Sequence, residues 1–190
     1  MNVSINPEKV EGFWDEGYTL DRHTKYSTCI GYDDNGHPMF DTIRTGLGEV
    51  LYKFKYQGNH EKLNDIMEFV VPFLRKWNTL SSVDFVVPAP FSKNRVYHPA
   101  NEIAKRISGV IGKPYEDVLK KTTNTESKDL TEKSQIRGTI VIIKKPRRPH
   151  NILLVDDLIA SGTTLNECTR VLKSNGCDKI FVIAMTRTNK

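Results

Sequence analysis

The stretch "NILLVDDLIASGTTLNE", Asn151 to Glu167, sets an unbroken apolar run before two adjacent carboxylates and a small-residue loop. A run apolar at every position reads as a strand buried on both faces, the kind found in parallel sheets covered by helices. In such sheets ligands bind at the carboxyl ends of the strands, which is where this reading puts Asp156 and Asp157. In the loop, Gly162 is free to take positive φ, so successive backbone N–H groups of Ala160, Ser161, Gly162, Thr163 and Thr164 can face one concavity at a helix start. Such a nest suits a phosphate monoester. The carboxylates would repel that phosphate, so they call for sugar hydroxyls or a Mg²⁺ reached directly or through water. A phosphorylated sugar satisfies both halves. A plain strand end followed by helix-capping residues is the alternative, although capping needs one such residue and leaves the paired acids without a purpose.

Three other phosphate-linked patterns do not fit. A Walker loop requires a Lys that does not follow Gly162, and no G-x-G-x-x-G run is present. A receiver domain also begins with a strand and paired acids, but only 33 residues follow Asp157, against the roughly 100 that such a domain needs from its first strand.

Outward from this stretch the chain alternates. "VDFVV" ends in "PAP", "NEIAKRISGVIG" has helical spacing, "GTIVII" is an apolar run, "TTLNECTRVLKSNG" is helical and "KIFVIAM" is a further strand. The spacing predicts an α/β fold with a parallel sheet flanked by helices. Upstream, "GYTLDRHTKYSTCIGYDDNGHPMFDTIRT" alternates around "DDNG" and predicts a β-hairpin. "GLGEVLYKFKY" and "EKLNDIMEFVVPFLRKW" then predict two helices broken at Gly58. The 190 residues suit a single domain, with 1–80 expected as an N-terminal hairpin and helical hood and 81–190 as the α/β core.

Between Leu119 and Gly138 no apolar periodicity survives, which predicts a long surface loop suited to a lid. The interval Lys120 to Arg148 holds nine basic and three acidic residues, so it carries more than the whole net charge of +5. Solvated surface, a polyanionic small molecule and nucleic acid all remain open for it. Cys29, Cys168 and Cys177 form no C-x-x-C pair, which argues against a disulfide framework or zinc ribbon. No run approaches the ~20 apolar residues of a membrane span, and the N-terminus lacks the pattern of a secretion signal; no membrane association and a cytoplasmic location are expected.

The thirteen residues "ILLVDDLIASGTT", Ile152 to Thr164, resemble the signature for phosphoribosyl diphosphate (PRPP) of the type I phosphoribosyltransferases. "KYQG" at Lys55 to Gly58 and "VPAPFSKNR" at Val87 to Arg95 are similar to elements of the ComF-like branch, over about 140 residues. That branch's zinc ribbon is missing here, and its "RGFNQ" element is replaced by "HPANE", His98 to Glu102, which keeps only Asn101. The resemblance implies a pentosyl-transferring enzyme that moves a phosphoribosyl group between PRPP and a small nitrogenous acceptor, with Mg²⁺-diphosphate leaving. It assigns Ala160 to Thr164 to the 5′-phosphate, Asp156 and Asp157 to the ribose hydroxyls and Mg²⁺, and Lys93 and Arg95 to diphosphate. One of Lys121, Lys128 and Arg137 would reach the diphosphate from the closing loop. The acceptor would lie under the hood, against Tyr18, His23, Tyr26, Tyr32, His37 and Phe40, with Thr186 and Arg187 beside it. A homodimer is implied as well. The alternative is a non-catalytic PRPP- or nucleotide-binding accessory protein in DNA uptake, repair or regulation, favoured by "HPANE" and the basic "KKPRRPH", with nucleic acid a secondary partner.

Overall fold

The computed structural model describes residues 4–91, 97–122, 138–144 and 150–189. In chain order its elements are β1 (Glu8–Lys9), β2 (Glu16–Arg22), β3 (Thr24–Tyr32), β4 (Pro38–Arg44), α1 (Gly46–Tyr56), α2 (Lys62–Leu74), a 3₁₀ turn (Asn78–Ser82), β5 (Phe85–Pro88), α3 (Pro99–Ile111), β6 (Leu119–Lys121), β7 (Ile140–Ile142), β8 (Ile152–Ile159), α4 (Thr163–Ser174) and β9 (Ile180–Arg187).

The central sheet has the order β1-β2-β9-β8-β5. β2, β9, β8 and β5 run parallel, and β1 is an antiparallel edge. Along β8, Leu153 and Val155 enter one core with α1, α2 and α3, whereas Ile152 and Leu154 enter a second core with α4. This alternation is the two-residue period of a strand covered on both sides, so the expected architecture of a mostly parallel sheet between helices is observed.

Two strand expectations are corrected. "GTIVII" does not join the central sheet: its residues 140–142 form β7, which pairs antiparallel with β6 in a separate two-stranded sheet. Of its apolar residues only Ile140 is buried, while Val141 and Ile143 are exposed, so the run lacks the two-sided burial of a parallel strand. Its place is taken by β2, from the stretch read as part of the hairpin. Its Leu20 is fully buried, and β2 pairs with β9 from Glu16↔Phe181 to Arg22↔Arg187. The sheet therefore draws strands from both sides of residue 80. Of the segment expected to form a hood, the hairpin β3–β4 forms its own two-stranded sheet. Its turn is built by Asp33, whose carboxylate accepts from the backbone N–H of Asn35 at 2.9 Å and of His37 at 2.8 Å. Gly36 supplies the left-handed residue at φ +79°.

Candidate functional site

β8 runs on to Ile159, so the two acids lie within the strand rather than at its end. Successive strand residues face opposite sides. Asp157 follows Leu153 and Val155 toward α1, where its Oδ2 meets the Lys55 ammonium at 2.7 Å in a pair with side chains 19% and 13% exposed. Asp156 follows Ile152 and Leu154 toward α4, and its Oδ1 accepts the Asp157 backbone N–H at 2.8 Å. Burial, and then the neighbouring Asp157 charge, push the Asp156 carboxyl up to about 8. The Lys55 ammonium is raised despite a desolvation effect that opposes it, chiefly by the charge of Asp157 and the hydrogen bond to it. The two acids thus leave β8 on opposite faces and take different partners, yet their carboxyls stay close enough to act on one another.

Beyond the acids, the chain turns into α4 through Gly162, which sits at the N-cap with φ +76° and ψ −1°. A glycine has no side chain to cap with, and the first-turn amides of a helix have no intrahelical acceptors. The Ser161 and Thr163 hydroxyls lie 2.8 Å apart beside them. Ala160 and Ser161 are exposed, and Gly162, Thr163 and Thr164 half-buried. Beneath the loop lies Trp14, buried, its indole N–H donating to the Val10 carbonyl at 2.9 Å. A Cβ added at Gly162 would meet that ring at 3.7 Å. The Phe13 backbone N–H donates to Asn166 Oδ1 at 2.8 Å, tying the same segment to α4. Trp14 was not among the residues the sequence singled out, because it is remote in the chain and carries no motif.

On the α1 side, His23 joins β2 to the hairpin. Its Nδ1 is 3.1 Å from the Thr186 hydroxyl, and its backbone N–H donates to the Arg187 carbonyl at 2.8 Å. Burial, then the charges of Arg44 and Lys55, lower its pKa, so the ring favours its neutral form. Arg187 turns away to Glu8, at 3.3 Å, which also takes Arg22 in a two-pronged pair at 2.8 Å and 2.8 Å. That cation holds the sheet edge together.

The remaining expected residues separate. Lys121 is buried in β6 and is not on a loop; its charge and that of Asp156 both act on the buried Cys168 thiol, which places it on the α4 face. Lys93, Arg95, Lys128 and Arg137 lie outside the described residues. Of the aromatic hood, Tyr18 instead packs edge-on against Phe73 and Trp77, with centroids at 5.3 Å and 5.2 Å. Tyr26, Tyr32, His37 and Phe40 are exposed on the hairpin, leaving His23 as the hood residue drawn to the acid pair. Asn101 is buried in the first turn of α3 and donates to Tyr115 at 3.1 Å and Asp117 at 3.0 Å, bonds that fasten α3 to the segment after it.

Among the described residues no group of three or more His, Cys, Asp or Glu could hold a metal ion. A hydrated Mg²⁺ that arrives on a diphosphate needs only one or two carboxylates. With Lys55 on Asp157, Asp156 is the better placed of the pair for that purpose. Also among the described residues, no helix is long and apolar enough to cross a membrane.

Over residues 95–189 the chain matches the family described as phosphoribosyl transferase domain. Amidophosphoribosyltransferase of Pasteurella multocida is 30% identical over 112 residues, 56% of this chain and 21% of that protein, so the chain spans about a fifth of that relative's length. Competence protein F of Haemophilus influenzae is 22% identical over 155 residues, covering 74% of this chain and 68% of that protein. Among solved structures, adenine phosphoribosyl transferase from Trypanosoma brucei aligns over 97% of this chain and 86% of its own, at 11% identity and a TM-score of 0.51, a likeness of fold.

Proposed function

This chain belongs to the phosphoribosyl transferase domain family, and from that premise we propose that it binds PRPP and transfers the phosphoribosyl group to or from a small nitrogenous acceptor, with diphosphate leaving. The observation that carries this reading is the glycine-capped start of α4 directly after the split acid pair. In it, the amides and hydroxyls of Ala160 to Thr164 hold the 5′-phosphate, and Asp156 and Asp157 take the ribose hydroxyls. Lys93 and Arg95, with Lys121 from the α4 face, neutralise diphosphate.

Displacement at the anomeric carbon develops positive charge on the sugar, which carboxylates stabilise, and no side-chain nucleophile is needed. Mg²⁺, when bound, would neutralise charge on the departing diphosphate, with Asp156 as its carboxylate. Residues of this chain otherwise contribute by orienting the sugar and excluding water, since hydrolysis competes. A second reading, a PRPP-binding accessory protein without turnover, is favoured by the match to Competence protein F along 74% of the chain.

Calorimetric titration with PRPP, with and without Mg²⁺, tests the first reading on the wild type and Gly162→Trp. We expect Mg²⁺-dependent binding that the variant loses, because every side chain is strained at φ +76°. Diphosphate release with any of a panel of bases and amines then separates the enzyme from the accessory protein. Absence of binding at millimolar PRPP would overturn both.

A further inference from the structure

We infer that Lys55 is a positioning residue of the ribose subsite, acting through Asp157 to fix the direction of that carboxylate; the inference rests on the PRPP-binding reading above. A carboxylate on a strand can rotate about its last torsion and leave its oxygens poorly aimed. Here Asp157 Oδ2 is taken by the Lys55 ammonium at 2.7 Å, with both side chains largely buried, so the orientation of the second oxygen is set before any ligand arrives.

The ammonium is itself held by its helix. α1 is capped by Thr45, whose hydroxyl accepts the Gly48 N–H at 3.0 Å and donates to the Arg22 carbonyl at 2.6 Å. Gly48 packs so closely on the His23 carbonyl that a Cβ would not fit. Leu47, Leu51 and Phe54 bury the same helix in the core. Lys55 also stands in its last turn, where the carbonyl ends favour a cation. The position of one ammonium thus derives from the β2–β3 junction and is delivered to β8. A side chain present only to fill space would not need a charge there, since breaking a buried ion pair leaves the partner uncompensated.

The test is PRPP titration in the presence of Mg²⁺ on wild type, Lys55→Met, Lys55→Arg, Asp157→Asn and the Lys55→Met/Asp157→Asn double variant, with the melting temperature of each unliganded protein. Lys55→Met is expected to weaken PRPP binding about tenfold or more, Lys55→Arg to recover to within about threefold, and the double variant to bind no more weakly than Asp157→Asn alone. Two losses that multiply in the double variant would show that Lys55 does not act through Asp157. A lowered melting temperature with unchanged affinity would leave Lys55 a purely structural residue, and tighter binding by Lys55→Met would make it an obstruction; either overturns the inference. If Lys55→Met does not fold, Lys55→Gln, which keeps a donor at shorter reach, must show a loss of about fivefold or more for the inference to stand. A wild type that binds no PRPP defeats the proposed function itself, a result distinct from wild-type binding that the Lys55 variants leave unchanged.

Discussion

His23 lies in the field of Arg44, Lys55, Asp157 and Glu49, with its ring on the Thr186 hydroxyl. Burial and the two cations outweigh the carboxylates and lower its pKa below the ordinary imidazole value. The unfolded chain takes up a proton near that ordinary value of about 6.5, whereas the folded chain does so only at lower pH. Its contribution to stability is therefore full above that value and lost as pH falls through the folded-state pKa. Urea unfolding at about pH 7.5 and about pH 5.5 is expected to show a larger loss of stability for wild type than for His23→Gln. Parallel losses would mean that the imidazole is not held neutral. At this scale the sequence was informative where the chemistry is contiguous: the acids and the Ala160 to Thr164 loop are one stretch, and local spacing suffices to read them. Lys55 was visible only as part of "KYQG", because its partner Asp157 is distant in the chain and the pairing is made by tertiary structure.

Helix α1 shows how an element can depend on a missing side chain. Ala in place of Gly within a helix ordinarily gains up to about 1 kcal/mol. Gly48 is different, because the added Cβ would collide with the backbone carbonyl of His23, which cannot swing aside as a side chain could. Gly48→Ala is expected to destabilise by about 2 kcal/mol or more, read from the denaturant midpoint. An unchanged or raised midpoint would show that the helix can move off the β2–β3 junction, which would also weaken the argument for a fixed Lys55. The helices were readable from the sequence because the 3.6-residue period is long and repetitive, as in "EKLNDIMEFVVPFLRKW". Strand partners were not. "GYTLDR" and "TKYSTCIGY" carry the same two-residue alternation, yet one lies in β2, beside β9 in the core, and the other is β3, with most of its residues exposed and none buried. Burial separates them, and burial depends on pairing with residues that lie far along the chain.

For the molecule as a whole, the two cores enclose the central sheet, and neither includes a residue from β3 or β4. The hairpin nonetheless exposes Tyr26, Ile30, Tyr32 and Phe40, more apolar surface than a two-stranded ribbon needs for its own sake. Its base at His23 and Arg44 adjoins the acid pair, whereas the Ala160 to Thr164 loop, to which the proposal gives the 5′-phosphate, is braced from below by Trp14. Phosphate binding and hairpin should therefore be separable. Replacing residues 27–42 with a short Gly-Ser turn across the Tyr26↔Ile43 pairing is expected to preserve cooperative unfolding and to leave PRPP affinity within about threefold, while acceptor-dependent diphosphate release is lost. Retained release would remove the hairpin from the acceptor site. Loss of PRPP binding together with a change in mass by light scattering would instead make the hairpin an interface between copies, since an exposed apolar ribbon on which binding depends must be covered by something other than its own core.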